Sequence, residues 1–334
     1  MTHMFKNAHY DFLRWRWHAL ILSLVVIAAG IGVVATKGLS MGVEFAGGTI
    51  VIAQFDQQPS IEDVRRALDS RFGGESVSVQ RYGDPALRQV MVRVPEVGAE
   101  EGRSLSAAAQ AVTTELSQAN LGTFTVVGTE IVGPAVGREL QSKGISATVL
   151  SLGGILLYLT FRYQFSFAVG AVIATIHDLL VTFAFLAFFQ YDLTLNVIAA
   201  ILTVAGYSSN DTIVVFDRVR ENLRSMRRDA LKDVINVSVN QTLGRTVITS
   251  GTTLLSALAL FLFGGEVLRG FAFTLIVGVV TGTYSTVFIA AAVVTFWRGK
   301  GPTRAAARAP VAAAPAAPQQ PARKTKAQRS MRAS

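Results

Sequence analysis

The sequence predicts a polytopic α-helical membrane protein, with six transmembrane helices and one α+β ferredoxin-like domain between the first and second. Three observations carry this prediction. Six apolar runs are each long enough to cross a hydrocarbon core, at residues 18–36, 142–160, 165–189, 193–216, 246–263 and 271–296. The stretch from Lys37 to Gly137 has a soluble composition and a strand–helix pattern of its own. The loops between runs alternate between rich and poor in Lys and Arg. The 334-residue chain is 51% hydrophobic with a mean hydropathy of +0.42, which fits a membrane protein carrying one soluble part.

Residues 1–17 contain Lys6, Arg14 and Arg16 and lead into the first run. A basic start before an apolar run also describes a signal peptide. This run is long for a signal core and more spans follow, so it reads as an uncleaved first helix. In the domain from 37 to 137, Thr49–Phe55 is rich in β-formers, and residues 60–72 are helical with Ser60 at the N-cap and Asp63 three residues on. Residues 76–82 and 89–94 read as strands separated by the turn signal Gly83-Asp84-Pro85. A helix over 100–120, ending at Asn120 and Gly122, precedes a strand over 123–132. The order β-α-β-β-α-β is that of two helices on a four-stranded antiparallel sheet. The domain has no His, Cys or phosphate-binding glycine loop. Its acidic clusters Glu62/Asp63 and Glu100/Glu101 fall at helix starts, where the helix dipole favours them. A binding or mechanical role is therefore expected of it.

Charge sets the orientation. Arg162 follows the second run, and Arg218, Arg220, Arg224, Arg227, Arg228 and Lys232 follow the fourth, whereas Gln190–Asp192 has no basic residue and Gly264–Gly270 only Arg269. Both termini are expected in the cytoplasm and the 37–137 domain outside, which in a two-membrane bacterium is the periplasm. Residues 138–297 hold spans two to six. Within them the loop 217–244 is expected to carry an amphipathic helix with Leu223, Met226, Ala230, Val234 and Val237 on one face, lying on the inner leaflet. Residues 298–334 form an Ala/Pro/Arg/Lys-rich tail expected to be disordered. The stretch from Trp297 onward holds nine Lys or Arg and no acid, which accounts for the whole net charge of +9. The basic balance thus belongs to a tail and is poor evidence for a nucleic-acid-binding fold. With no cysteine, disulfides and thiolate metal sites are excluded.

The fourth run carries the chemistry. Asp211 is its only carboxylate, and such a charge at membrane depth costs at least ~2.5–3.5 kcal/mol, so it faces a protein interior or a water-filled cavity. Asn196, Thr203 and Asn210 recur at i, i+7 and i+14 beside it. An ion or proton site is one reading, and a carboxylate snorkelling from a helix end is the other. Arg245, Thr249, Thr252 and Ser256 make a second stripe on span five, at a depth where Arg245 and Asp211 pair. Span three carries His177-Asp178, either a part of the proton path or a hydrogen-bond cluster between helices. Span six adds Thr274, Thr281 and Ser285 on one face and the packing signal Gly278-x-x-x-Gly282. No metal is expected, since there is no HExxH and no second intramembrane His. An intramembrane aspartyl protease built on Asp178 and Asp211 is disfavoured by their different depths.

Three longer motifs carry a resemblance. Gly42-Val-Glu-Phe-Ala-Gly-Gly-Thr49 resembles the signature of the SecD/SecF protein-export membrane proteins. Residues 208–222 (SSNDTIVVFDRVREN) and 240–254 (NQTLGRTVITSGTTL) are similar to the fourth- and fifth-span motifs of that family in their SecF form. The resemblance covers about residues 12–297. Glu44 stands where Asp is commoner, and Ser209 where the family has a β-branched apolar residue. The resemblance implies half of an RND-type transporter, the other half being a SecD subunit, together a twelve-helix pseudo-symmetric unit. It implies association with the SecYEG channel, often with YajC, in the pathway driven by SecA. The unit would use the proton motive force to promote late steps of preprotein translocation across the bacterial inner membrane. In that scheme Asp211 and Arg245 are the relay aspartate and arginine and Asp178 a further relay position. Asn210, Thr203, Thr249 and Thr252 form the supporting polar face, and Gly42, Glu44, Phe45, Gly47 and Gly48 the signature loop. No cofactor is implied, and an enzyme is the weakest reading because no nucleophile–base or metal set is present. A half-transporter for another cargo, or a scaffold subunit without proton chemistry, are the remaining alternatives.

Overall fold

The computed structural model describes residues 9–72, 77–94, 103–163 and 165–298. The Glu100/Glu101 cluster and the basic tail lie outside them. Six helices are long and apolar enough to cross a membrane. They are α1 (Arg16–Lys37), α5 (Pro134–Arg162), α6 (Phe165–Phe188), α7 (Leu195–Ser225), α8 (Leu231–Phe263) and a last span built from α9 (Gly265–Ser285), a π-helical turn (Thr286–Ala290) and α10 (Ala291–Arg298). Between α1 and α5 come α2 (Val43–Ala46), β1 (Gly48–Phe55), α3 (Ile61–Phe72), β2 (Ser78–Tyr82), β3 (Gln89–Val94), α4 (Arg103–Gln118) and β4 (Phe124–Val132).

The strands form one antiparallel sheet in the order β2-β3-β1-β4, which is the ferredoxin-like order expected from the sequence. One face buries Val51, Ala53 and Phe55 of β1 and Val90 and Val92 of β3 against Val64 and Leu68 of α3 and Val112 and Leu116 of α4. The alternate residues Ile50 and Met91 point the other way and pack on Val43 of α2. This four-residue helix is therefore wedged between the sheet and the membrane helices. Gly47 and Gly48 turn the chain from α2 into β1 at φ of 75° and 129°, a region closed to most side chains, which is why two glycines stand here. At Gly137 a Cβ would lie 2.9 Å from the carbonyl oxygen of Phe45, so glycine also lets α5 approach α2.

In the membrane part, α6 and the last span are the most enclosed, whereas α1 and α5 leave most of their surface open. A Cβ on Gly278 would lie 2.2 Å from Val204 Cγ2, and one on Gly282 would lie 3.1 Å from Ser208 Cβ. The Gly278-x-x-x-Gly282 signal thus seats α9 directly on α7.

The sequence expectation of an interfacial amphipathic helix in 217–244 is corrected here. The segment is the paired ends of α7 and α8, joined by a short turn with Met226 at the C-cap of one and Ala230 at the N-cap of the other. The five apolar residues do not share one face. Val219, Ile235 and Val239 bury against each other and Leu13, with Leu223 packed on them. Asn222 Nδ2 donates to Ser238 Oγ at 2.9 Å and to Gln241 Oε1 at 2.8 Å. Packing between the two helices replaces packing on lipid. The N-terminal segment docks on the same hairpin. The Tyr10 N–H donates to Asn240 Oδ1 at 2.9 Å, Asn240 Nδ2 donates to the Tyr10 carbonyl at 2.8 Å, and the Phe12 N–H donates to Asn236 Oδ1 at 3.0 Å.

Gly278→Val is expected to force α9 off α7 and cost about 1–3 kcal/mol, as overpacking of a close interface does. Thermal unfolding of the purified protein in detergent checks this, with Gly251→Ala, where a Cβ meets nothing, as the neutral control.

Candidate functional site

Polar residues at helical spacing on four spans meet in one buried network. α7 turns Ser208, Asp211 and Thr212 inward, and α8 turns Thr242, Thr246 and Ser250 inward at four-residue intervals. α6 supplies Thr175, His177 and Asp178, and the last span supplies Ser285 and Thr286.

Asp178 is fully buried, and both its oxygens are engaged. Oδ2 accepts from Ser208 Oγ at 2.5 Å and from Ser285 Oγ at 2.7 Å, and Oδ1 lies 3.0 Å from Nδ1 of the neighbouring His177. One carboxylate thereby ties α6, α7 and the last span together. Two hydroxyl pairs extend the tie, Thr175 with Ser209 at 3.2 Å and Thr212 with Thr286 at 3.0 Å. Thr286 opens the π-helical turn, a local widening that re-aims side chains and recurs at functional sites. The hydrogen-bond cluster between helices that His177-Asp178 suggested is thus formed.

Asp211 is different. It is 6% exposed, and its Oδ1 accepts from Thr246 Oγ1 at 3.1 Å. Its Oδ2 is buried and has no hydrogen-bond partner among the described residues. A carboxylate with an oxygen left over is able to take up a proton without breaking an existing bond. Asp178 has no such oxygen.

The Asp211–Arg245 pair expected from the sequence is not formed: among the described residues no ion pair joins them, and Arg245 is exposed. Successive residues of an α-helix point about 100° apart. α8 therefore presents Thr246 to Asp211 and turns Arg245 outward. Arg245 lines a cleft of about 480 Å³ with Val214, Asp217, Arg218, Glu221 and Gln241, where Arg218 donates to Glu221 and to Gln241, each at 2.6 Å. The supporting residues Asn210, Thr203, Thr249 and Thr252 are exposed too, and each of the three threonine hydroxyls donates to a carbonyl of its own helix. They form an outward polar face across α7 and α8 and do not surround Asp211. At the α5–α6 turn, burial and a hydrogen bond to Asp217 push the Tyr163 hydroxyl up to about 12, so it remains a donor to that carboxylate.

Sequence reasoning missed Thr246, Ser208 and Thr286 as contacts of the site. The four-residue spacing of Thr242, Thr246 and Ser250 was the available signal, one position out of step with the stripe that contains Arg245.

The signature loop lies away from this network, at the other end of α7. The Gly42 N–H donates to the Leu193 carbonyl at 2.7 Å, and a Cβ there would lie 2.9 Å from that oxygen. Glu44 stands in the first turn of α2, and Phe45 is buried.

Six membrane-length helices, an inserted ferredoxin-like domain and an enclosed carboxylate on the fourth span define a multi-pass membrane protein built like half of a transporter. The chain belongs to the SecD/SecF family of protein-export membrane proteins. Residues 111–300 match the model "Protein export membrane protein SecD/SecF, C-terminal", and residues 32–59 match the "SecD/SecF GG Motif". It is 43% identical over 293 residues to the protein translocase subunit SecF of Pseudomonas aeruginosa, covering 87% of this chain and 92% of that one. It is 40% identical to the SecF of Desulfurispirillum indicum with the same two coverages, and 39% identical to that of Escherichia coli O157:H7, covering 85% and 86%. Among solved structures it is similar to SecDF, a translocon-associated membrane protein from Thermus thermophilus, with a TM-score of 0.77 and 34% identity. The match covers 88% of this chain and 39% of that one, so the chain spans well under half of that longer protein.

Asp178→Ala is expected to leave the buried Ser208 hydroxyl without its Asp178 acceptor, at about 1–3 kcal/mol, and Ser285 with only the Gly282 carbonyl. Asp178→Asn keeps an acceptor oxygen and is expected to lose less. Paired melting curves of the two variants in detergent measure the difference.

Proposed function

We propose that this chain is the SecF-type half of a proton-driven auxiliary unit of the protein-export translocase, with Asp211 the residue that loads and releases the proton. The observation that carries the reading is the enclosed Asp211 carboxylate with one oxygen unoccupied among the described residues, its other oxygen held by Thr246, which is one helical position from an outward-turned arginine. A rotation of α8 by one residue step, about 100°, exchanges Thr246 for Arg245 in front of Asp211. The approaching guanidinium stabilises the carboxylate and releases its proton, and its withdrawal allows the next proton to load. The enzyme class is not needed for this, since the work is binding and movement.

The outward polar face supports a SecD-type partner. Arg and Asn side chains at membrane depth are costly against lipid, so helices of a second half pack there. The open edge of β4, with Val126, Val127 and Ile131 exposed, suits a neighbouring domain beside the sheet. The arginines of the α7–α8 hairpin support, by the positive-inside rule, a reading with that end in the cytoplasm and the sheet domain in the periplasm beside the translocating preprotein. SecYEG, YajC and SecA enter as the channel, accessory subunit and cytoplasmic motor of the same pathway.

The test is preprotein transport into vesicles carrying Asp211→Asn together with the partner subunit, driven by a proton gradient after ATP is removed. The variant is expected to assemble and to lose the gradient-dependent increment. An unchanged increment assigns Asp211 a structural role and overturns the proposal.

A further inference from the structure

The sheet domain is joined to the membrane helices covalently at two places, the ends of α1 and the start of α5. A third tie is not covalent. The linker leaving α1 runs beside the loop between α6 and α7 as a single parallel β-bridge, Met41 opposite Leu193. The Leu193 N–H donates to the Ser40 carbonyl at 2.8 Å, and the Gly42 N–H returns to the Leu193 carbonyl at 2.7 Å. Asp192 closes the arrangement from both sides. Its Oδ1 accepts from Ser40 Oγ, and its Oδ2 accepts from Arg93 Nη2 at 2.6 Å. Arg93 Nη1 donates to the Met41 carbonyl at 3.2 Å.

The partners in this clasp stand on different elements, the sheet and the approach to α7. Arg93 stands on β3, an inner strand paired with β1 at Ile50 and with β2 at Ser78, so it moves only with the whole sheet. Asp192 lies three residues before α7, whose N-cap Thr194 accepts from the Val197 N–H at 3.3 Å. From Leu195 the helix runs about 24 Å to Asp211 at 1.5 Å per residue. A displacement of the sheet that carries Arg93 therefore pulls on the end of the same helix that holds the buried carboxylate.

The contact is also built to open. Arg93 reaches the Asp192 carboxylate through one nitrogen. Its Nε is buried and has no hydrogen-bond partner among the described residues, so the two-pronged arginine–carboxylate geometry that gives the strongest pairs is not used. Both side chains keep a solvent-facing part, at 15% and 23% exposure, so water is at hand to receive the charges when they separate.

We propose that Arg93 and Asp192 are positioning residues for the transport cycle: their ion pair and the Met41–Leu193 bridge clasp the sheet domain to α7, and the clasp opens and recloses in each turnover. The proposal rests on the reading of the chain as a proton-driven unit for the meaning of turnover. It assigns the signature loop a mechanical duty, because Gly42 is the residue whose missing side chain lets the bridge form.

The natural chain has no cysteine, so one engineered pair tests the clasp cleanly. Met41→Cys with Leu193→Cys puts two thiols on bridge partners, at a spacing a disulfide spans. The full chain with its partner subunit in vesicles is oxidised and assayed for gradient-driven preprotein transport, with Asp211→Asn run beside it. The oxidised pair is expected to cross-link and lose the gradient-dependent increment, and a reductant to restore it. Failure to cross-link, or full transport by the cross-linked protein, overturns the clasp. If Asp211→Asn loses the increment while the cross-link does not matter, the clasp alone is wrong. If Asp211→Asn keeps the increment, the proton reading fails first. A charge exchange gives an independent reading. Arg93→Glu is expected to lower the increment about fivefold, and Arg93→Glu with Asp192→Arg to recover most of it. No recovery in a stably assembled double variant shows that the pair is not the determinant.

Discussion

A carboxylate inside a membrane helix has to be answered by neighbouring helices, and Asp178 is where this chain meets that requirement. With no exposure to solvent, it takes hydroxyl donors from α7 and the last span, so its position defines how three helices face one another. Ser208 and Asp211 are three residues apart on α7 and share its inward face. Fixing Ser208 on Asp178 therefore fixes where Asp211 points, and with it which face of α8 meets it. The small residues follow from the same constraint. Gly278 and Gly282 bring α9 close enough to α7 for Ser285 to reach Asp178.

Around that fixed centre lies a face that is left open. α7 and α8 are two-sided helices, with one polar set turned in toward Asp178 and Asp211 and another turned out through Asn210, Arg245, Thr249 and Thr252. The inward set is satisfied within the chain apart from the Asp211 and His177 atoms without partners among the described residues. The outward set contains Arg245, the sequence neighbour of the Thr246 that donates to Asp211. Inside and outside thus differ by one residue step along α8, about 100° around its axis, and this change of face is what a proton cycle would use.

Much of this was legible in the sequence, for reasons that can be located. The six spans follow from run length, and the strand order follows from Thr49–Phe55 and Gln89–Val94 being flanked by two amphipathic helices. The ends of α7 and α8 were not legible, because hydropathy reports only the lipid-immersed part of a helix. Residues 217–225 and 231–245 are polar yet stay helical through Asn222, Ser238 and Gln241. The pairing of Asp211 was misread because the azimuth of Arg245 around α8 was not considered: its side chain is exposed and turned away from Asp211. Thr246 at the same depth faces the other way, and a hydroxyl in an apolar run carries no charge to mark it. The signature glycines were recognised as a motif, but their work as the turn between α2 and β1 and as the contact on Leu193 needed the fold.

The docking of the N-terminal segment on α8 also has a consequence for how the chain is made. Tyr10 and Phe12 bond to residues 230 and 224 positions downstream, so this segment is made long before its partners. At ~5–20 residues per second of synthesis, the segment waits roughly 10–45 s with its backbone groups unpaired. Asn236 and Asn240 precede the apolar part of α8, so they become available once four spans have been made. The completed contact thus ties the segment before the first span to the start of the fifth, closing a loop that contains four spans.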